Sequence, residues 1–153
     1  MSNTPSANFP AMLPRETSIW QTYLSQHPGE FETLDYNVRV GKGLDPGPSY
    51  EDSARRAAIM NSQLRIDVVG FDGTTWWLIE VKVRAGAGAV GQLQQYLVLF
   101  EQAYPDKRPI GMRMVTDRMK LGLDVMCARW GIDLVVVQSP PPAPPPSVLG
   151  TPA

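Results

Sequence analysis

The chain has 153 residues, of which 43% are hydrophobic and 19% are charged, and its formal net charge is −1. This length supports one domain with one buried core, and the near-neutral charge excludes a polycation that binds nucleic acid nonspecifically. No apolar run is long enough to span a membrane, and the start of the sequence lacks a secretory signal, so we expect a cytoplasmic protein without a membrane partner. The single cysteine, Cys127, excludes a disulfide framework and a cysteine-ligated metal site.

The two ends of the chain differ in composition from its middle. Residues 1–13 are rich in Ser, Asn and Pro and are predicted to form a flexible tail. Residues 140–153, "PPPAPPPSVLGTPA", form a proline run that cannot donate ladder hydrogen bonds, which predicts an extended or disordered tail. The folded domain is therefore predicted over 14–139. The proline tail and the small format favour a homodimer or a component of a larger assembly, with a phage or mobile-element origin and a place in a virion as one setting.

Between the tails, the hydrophobic periodicity changes repeatedly along the chain. "PRETSIWQTYLSQHPG" places its apolar residues on one helical face and ends in Pro28-Gly29, which predicts a helix over about 15–26. "FETLDYNVRV" then predicts a strand. The remaining predicted elements are a helix over 49–62, strands over 64–71 and 75–83, a helix over 88–103, a strand over 110–116, a helix over 118–130 and a strand over 132–137. The order αβ(α)ββαβαβ predicts an α/β fold with a mixed central sheet flanked by helices.

The two central strands are joined by Asp72-Gly73, a strong hairpin signal. Because side chains alternate across a strand, one side of this hairpin is predicted to be wholly apolar. Its predicted members are Leu64, Ile66, Val68, Trp77, Ile79, Val81 and Val83. On the other side, a four-residue "DGTT" loop places Phe71 opposite Trp76 and Asp67 opposite Glu80, with Lys82 two residues further on. The sequence therefore predicts a cluster of charges at one end of one face.

Two neighbouring carboxylates in a sheet that helices partly cover repel each other and need a cation. One solution is an ion-pair network that includes Lys82 and Arg65. The other is a hard divalent metal ion, because Mg²⁺ takes oxygen ligands from one or two carboxylates and also binds substrate phosphates. In that case Lys82 lies beside the metal, where it can orient a water molecule and stabilise charge on the phosphate.

These residues resemble the pattern of a known enzyme superfamily. "RID" with Asp67, followed after the hairpin by "IEVK" with Glu80 and Lys82, is similar to the motif of the PD-(D/E)XK nucleases, although Ile66 stands where the proline of the name would be. "GQLQQY" places Gln92 and Tyr96 in the following helix, like the QxxxY element of RecB-type nuclease domains. The similarity covers about a third of the domain and points to the RecB-like branch and to NucS-type nuclease domains.

The resemblance implies a restriction-endonuclease-like fold and a set of roles. Asp67 and Glu80 are expected to ligate Mg²⁺ or Mn²⁺, with the backbone carbonyl of Val81 as an extra ligand. Glu16 in the first helix is similar to a metal-binding acid of many members, although an acid at a helix start also interacts favourably with the helix dipole. Lys82 is expected to orient or activate the attacking water.

Gln92 and Tyr96 lie one helical turn apart and are expected to hold the lysine, the DNA backbone or a base, or else to be an ordinary surface Gln and a half-buried Tyr. The expected function is that of a metal-dependent DNA nuclease that hydrolyses phosphodiester bonds, with endonuclease action favoured. The alternative is a non-catalytic structural or adaptor module of the same fold in a larger assembly.

Overall fold

The structure is a computed structural model, and it describes residue 9 and residues 12–138. Its helices are α1 (Pro14–Gln26), α2 (Asp52–Ser62), α3 (Ala87–Ala103) and α4 (Leu123–Arg129). Its strands are β1 (Thr33–Val40), β2 (Leu64–Phe71), β3 (Trp76–Lys82), β4 (Ile110–Thr116) and β5 (Ile132–Val136). The predicted element order is confirmed.

The five strands form one mixed sheet in the order β1-β2-β3-β4-β5. The pairs β1–β2 and β2–β3 are antiparallel, whereas β3–β4 and β4–β5 are parallel. The parallel pairs arise because α3 and α4 each carry the chain back to the end of the sheet at which the preceding strand began. One face carries a core with α3 and α4, and the other packs against α1, so the sheet is buried on both sides. The predicted α/β fold, a mixed sheet flanked by helices, is confirmed and is consistent with a restriction-endonuclease-like core.

The hairpin between β2 and β3 has the predicted four-residue loop, since Phe71 pairs with Trp76. Asp72 builds this loop from its own side chain: Oδ1 accepts the N–H groups of Thr74 and Thr75, and Oδ2 accepts the indole N–H of Trp77. These hydrogen bonds hold the pKa of Asp72 below its usual range. The loop fixes the register on which the arrangement of the charged residues depends.

The prediction of a continuous apolar face along β2 is wrong at Ile66. Val68 packs with the α1 core, whereas Ile66 packs with the α3 core on the opposite face. The same change of face occurs in β1 between Tyr36 and Val38, on either side of Asn37, whose φ is 56°. A left-handed residue breaks the strict alternation of an extended strand, and the sequence pattern does not show where one will occur.

The helix predicted over 118–130 begins five residues later, at Leu123. The preceding residues instead form a turn that bridges back to the end of the β3 segment, because the N–H of Lys120 donates to the carbonyl of Ala85. Gly122 then adopts a φ of 87°, which an α-helix cannot contain. Cys127 lies on the buried face of α4.

The two predicted tails fall mostly outside the described residues. This holds for all of the Pro-rich segment 140–153 and for 1–13 apart from residues 9, 12 and 13. Phe9 is buried, with its ring centroid 4.9 Å from that of Tyr36. Within the part of the chain that is described, no helix combines the length and apolar character of a membrane span.

Candidate active site

The candidate site lies where β2 and β3 separate. Their ladder ends at the pair Val68–Ile79, and continuing the register places Asp67 opposite Glu80. The backbone N–H of Val81 donates to Oδ2 of Asp67 at 2.9 Å. A side-chain oxygen thus takes the place of a strand carbonyl, which holds the carboxylate between the two diverging strands.

Glu80 is the most deeply buried acid near this fork, with only 4% of its surface exposed. Its carboxyl group lies beside that of Asp67. Its Oε2 atom is buried and, among the described residues, has no hydrogen-bond partner. A buried carboxyl oxygen without a partner is costly, because no protein group replaces the water that it lost. The pair therefore has an unmet requirement for a donor or a cation.

The electrostatics of the pair have the same consequence. Burial raises the pKa of Glu80 well above its usual range, and the neighbouring Asp67 charge raises it further. Burial also raises the pKa of Asp67, while the Val81 N–H opposes that change. Without a cation, burial and mutual repulsion therefore favour one proton on the pair over two negative charges.

Lys82 supplies the nearest protein cation on this part of β3. Its charge lowers the pKa of both carboxyl groups, yet its side chain is exposed at the edge of the site. Its backbone is fixed by pairing with Thr116, and the hydroxyl of that threonine accepts the N–H of Ala85. A hydrogen-bonded strand end therefore presents an exposed ammonium group beside a buried acid pair.

Tyr96 belongs to the same site. It is buried on α3, and its pKa is raised first by burial and then by the charges of Glu80 and Asp67. Gln92 lies one turn earlier on α3 and is exposed, with no hydrogen bond to the acid pair within residues 12–138. The structure thus brings Tyr96, but not Gln92, to the carboxylates, and the predicted roles of both residues stay predictions.

Glu16 is near enough to raise the pKa of both carboxyl groups, although its own oxygen Oε2 accepts the N–H of Leu13 at 3.0 Å. This bond caps the first turn of α1, where an acidic side chain is favoured. Among the described residues, no three His, Cys, Asp or Glu side chains form a metal-binding group. The predicted metal-binding role of Glu16 therefore stays a prediction.

Asn37 was not identified from the sequence. It lies across from Asp67 in the β1–β2 register, between the pairs Tyr36–Val68 and Val38–Ile66. Its side-chain oxygen Oδ1 is buried and has no partner in the described part of the chain. An Asn in mid-strand is a weak hint, since Asn is among the few residues that tolerate positive φ.

The residues at the fork suit a hard divalent cation. The donor set is two carboxylates, one of which has a buried oxygen without a partner among the described residues. The predicted role of the Val81 carbonyl as a ligand stays a prediction. Mg²⁺ is bound in this way, through one or two carboxylates plus waters and substrate phosphate, rather than by a closed protein cage. Asp67 and Glu80 therefore fit such an ion.

Several solved structures are similar to this chain. A protein of unknown function, AF1548, matches at a TM-score of 0.50 and 16% identity over 80% of this chain and 57% of that chain. The EndoMS-dsDNA2 complex matches at a TM-score of 0.47 and 17% identity over 86% of this chain and 47% of that chain. A repair endonuclease from Pyrococcus abyssi matches at a TM-score of 0.43 and 15% identity over 77% of this chain and 45% of that chain.

The chain spans about half the length of these solved proteins. The likeness to AF1548 shows a shared fold, and the other two neighbours are an EndoMS–DNA complex and a repair endonuclease. No protein-family model matches the sequence, and neither does any curated protein.

Proposed function

We propose that this chain is a metal-dependent DNA nuclease that hydrolyses phosphodiester bonds, with endonuclease action. The observation that carries the proposal is the buried Asp67–Glu80 pair, in which one Glu80 oxygen has no partner in the described part of the chain. A structural acid pair would be expected to satisfy that oxygen with a protein donor. The exposed Lys82 beside the pair adds the cationic group that phosphate chemistry requires.

The chain's own residues then have separate tasks. Asp67 and Glu80 would hold the ion, which supplies Lewis-acid polarisation of the phosphate and a more acidic water when bound. The Val81 N–H keeps the Asp67 carboxylate in place, so the ligand does not need to reorganise. Lys82 orients the attacking water and stabilises negative charge on the phosphate oxygens through its ammonium group.

The first test is DNA cleavage by the wild-type chain. Supercoiled, linear, single-stranded and branched DNA are each incubated with Mg²⁺ or Mn²⁺, with and without EDTA, beside an Asp67→Asn variant. We expect cleavage that requires the metal and is lost in the variant, because the substitution removes a ligand charge while preserving shape. Conversion of supercoiled circles to nicked or linear DNA establishes endonuclease action. An Asp67→Asn protein that cuts as fast as wild type disproves the proposed site.

A Lys82→Gln variant separates metal binding from chemistry. We expect its turnover to fall by roughly 10²- to 10⁴-fold, the range over which positioned acid–base and charge-stabilising groups contribute. Calorimetry should show that Mn²⁺ binding is retained, since the lysine is not a ligand. A Lys82→Arg variant keeps the charge and should recover part of the loss. Equal turnover in Lys82→Gln and wild type would remove Lys82 from the mechanism.

The alternative is a structural module that kept the fold without the chemistry. It predicts that no DNA form is cut and that calorimetry detects no Mn²⁺ binding. Asp67, Glu80 and Lys82 would then serve as an internal network of charges. The unpartnered oxygen of Glu80 favours the nuclease.

A further inference from the structure

Two arginines lie directly opposite each other on the strand pair that leads away from the candidate site. Arg39 on β1 pairs in register with Arg65 on β2, so their side chains project from the same face of the sheet. Arg65 is exposed and Arg39 is partly buried. The β2–β3 ladder ends at Val68, so this part of β2 is paired only with β1. We refer to Arg39 and Arg65 as the arginine pair.

The arginine pair has no carboxylate partner within residues 12–138. Moreover, the Nε atom of Arg39 is buried without any hydrogen-bond acceptor there. Arg55, by contrast, makes a two-point ion pair with Asp45 at 2.7 and 2.6 Å. Like charges directly opposite each other destabilise a strand pair, and a buried donor without an acceptor adds to that cost. An anion bound between the two guanidinium groups would offset both costs.

The position of the arginine pair indicates what that anion is. Val38, Val40 and Ile66 pack toward α3, so the arginines project from the opposite face, while α1 packs mainly against β3 and β4. Arg65 is two residues from Asp67, which corresponds to roughly 7 Å along a strand. Glu80 lies on the α3 face beside Met114. The arginine pair is therefore at the same end of the sheet as the acid pair but on the other face. There it would meet a phosphate further along a strand whose phosphodiester is held at Asp67. The planar guanidinium groups of the arginine pair match phosphate oxygens with two parallel hydrogen bonds.

We propose that Arg39 and Arg65 together bind a backbone phosphate further along the DNA strand whose phosphodiester is held at Asp67 and Glu80. This inference rests on the proposed nuclease function and assigns a substrate-positioning site to it. The arginine pair thereby adds local positive charge to a chain whose formal net charge is −1. It fixes the register of the strand without reading its sequence, as phosphate contacts do.

The test measures DNA binding in EDTA, where no cleavage occurs. A fluorescent oligonucleotide, single- or double-stranded, is titrated with wild type, Arg39→Gln and Arg65→Gln at several salt concentrations. Arg108→Gln is the matched control, because Arg108 is exposed and lies just before β4 at the opposite end of the sheet. We expect each variant of the arginine pair to raise the Kd for DNA at least about tenfold. The salt slope, which is the slope of log Kd against log salt concentration, should fall by about 1. The control should leave both unchanged.

Stability measurements check that the variants fold. Removing either arginine relieves like-charge repulsion, so both variants should melt no lower than wild type without DNA. Arg65→Lys should keep the wild-type salt slope, since it keeps the charge. Wild-type salt slopes in both Gln variants would overturn the inference even if the wild-type chain cuts DNA. If the Gln variants show the reduced salt slope but the wild-type chain does not cut DNA, the phosphate site is supported and the proposed nuclease function is refuted.

Discussion

Substitution of Glu80 by Gln is expected to stop metal-dependent cleavage and, at the same time, to stabilise the metal-free protein. The loss of activity should exceed about 100-fold, because altering a group that only supports a metal ligand already costs about 10- to 100-fold. Glu80 has the free buried oxygen that suits the ion, so its replacement by an amide removes both charge and affinity. Metal-dependent cutting of DNA at the wild-type rate would contradict this assignment.

The stability gain follows from the same burial. In the metal-free protein the Glu80 carboxyl group is buried beside Asp67, and burial disfavours its charged form. A glutamine has no charge to desolvate, and its amide N–H can donate to the Asp67 carboxylate. We therefore expect a higher Tm in EDTA, where a gain of about 1 kcal/mol corresponds to roughly 4 °C. A Tm below that of wild type in EDTA would show that Glu80 stabilises the fold.

Metal binding provides a second readout of the same variant. Mn²⁺ should raise the Tm of wild type, because a ligand that binds only the native state stabilises it, and it should not raise that of Glu80→Gln. Glu101→Gln is a suitable control, since Glu101 lies on α3 beside Pro109 at the other end of the sheet. An activity loss together with a normal Mn²⁺ shift would instead place Glu80 outside the metal site.

The sequence was sufficient to predict that Asp67 lies opposite Glu80, and the reason is local. The "DGTT" loop fixes the hairpin register, and the period of two then sets Asp67, Glu80 and Lys82 on neighbouring positions. These three residues lie within sixteen positions of one another in a single hairpin. No information from distant parts of the chain was needed to bring them together.

Other features depend on distant contacts and were not predicted. Ile66 and Val68 of β2 pack on opposite faces, as do Tyr36 and Val38 on either side of the left-handed Asn37 in β1, and strand periodicity does not encode such changes. The late start of α4 depends on a turn that is hydrogen-bonded to Ala85, more than thirty residues earlier. Arg39 lies opposite Arg65 because of the register between β1 and β2. The two strands are separated in sequence by α2, so their register could not be predicted from a local pattern.

Arg113 is the clearest case of a residue whose partners the sequence conceals, and its substitution by Met should cause a large loss of stability. The residue is 7% exposed on β4. Its Nη1 donates to the hydroxyl of Tyr23 at 2.7 Å and to Glu30 at 3.0 Å, and its Nε donates to Asp133 at 2.6 Å. Its guanidinium carbon also lies 4.1 Å from the ring centroid of Trp77. One side chain thus links α1, the segment before β1, the hairpin and β5.

Removing only the cation leaves the other groups without their partner. Burial raises the pKa of the Tyr23 hydroxyl, and the hydrogen bond that this hydroxyl donates to Glu30 raises it further. Tyr23 therefore stays neutral and cannot replace the positive charge of the guanidinium group. Breaking a fully buried ion pair costs about 3–5 kcal/mol. The carboxylates of Glu30 and Asp133 are partly exposed, which favours the lower end, about 3 kcal/mol. That is a large share of the roughly 5–15 kcal/mol by which a domain is stable.

Urea unfolding of Arg113→Met measures the loss, with Arg55→Met as the matched control. Arg55 also makes a two-point ion pair, but on the surface, so its substitution should shift the midpoint far less. Arg113 pairs with Ile79, one position from Glu80, so it supports the strand that carries the acid pair without touching that pair. At a temperature where the variant remains folded, its DNA cleavage should therefore match wild type. Equal midpoints for the two variants would show that burial gives the Arg113 network no advantage over a surface ion pair.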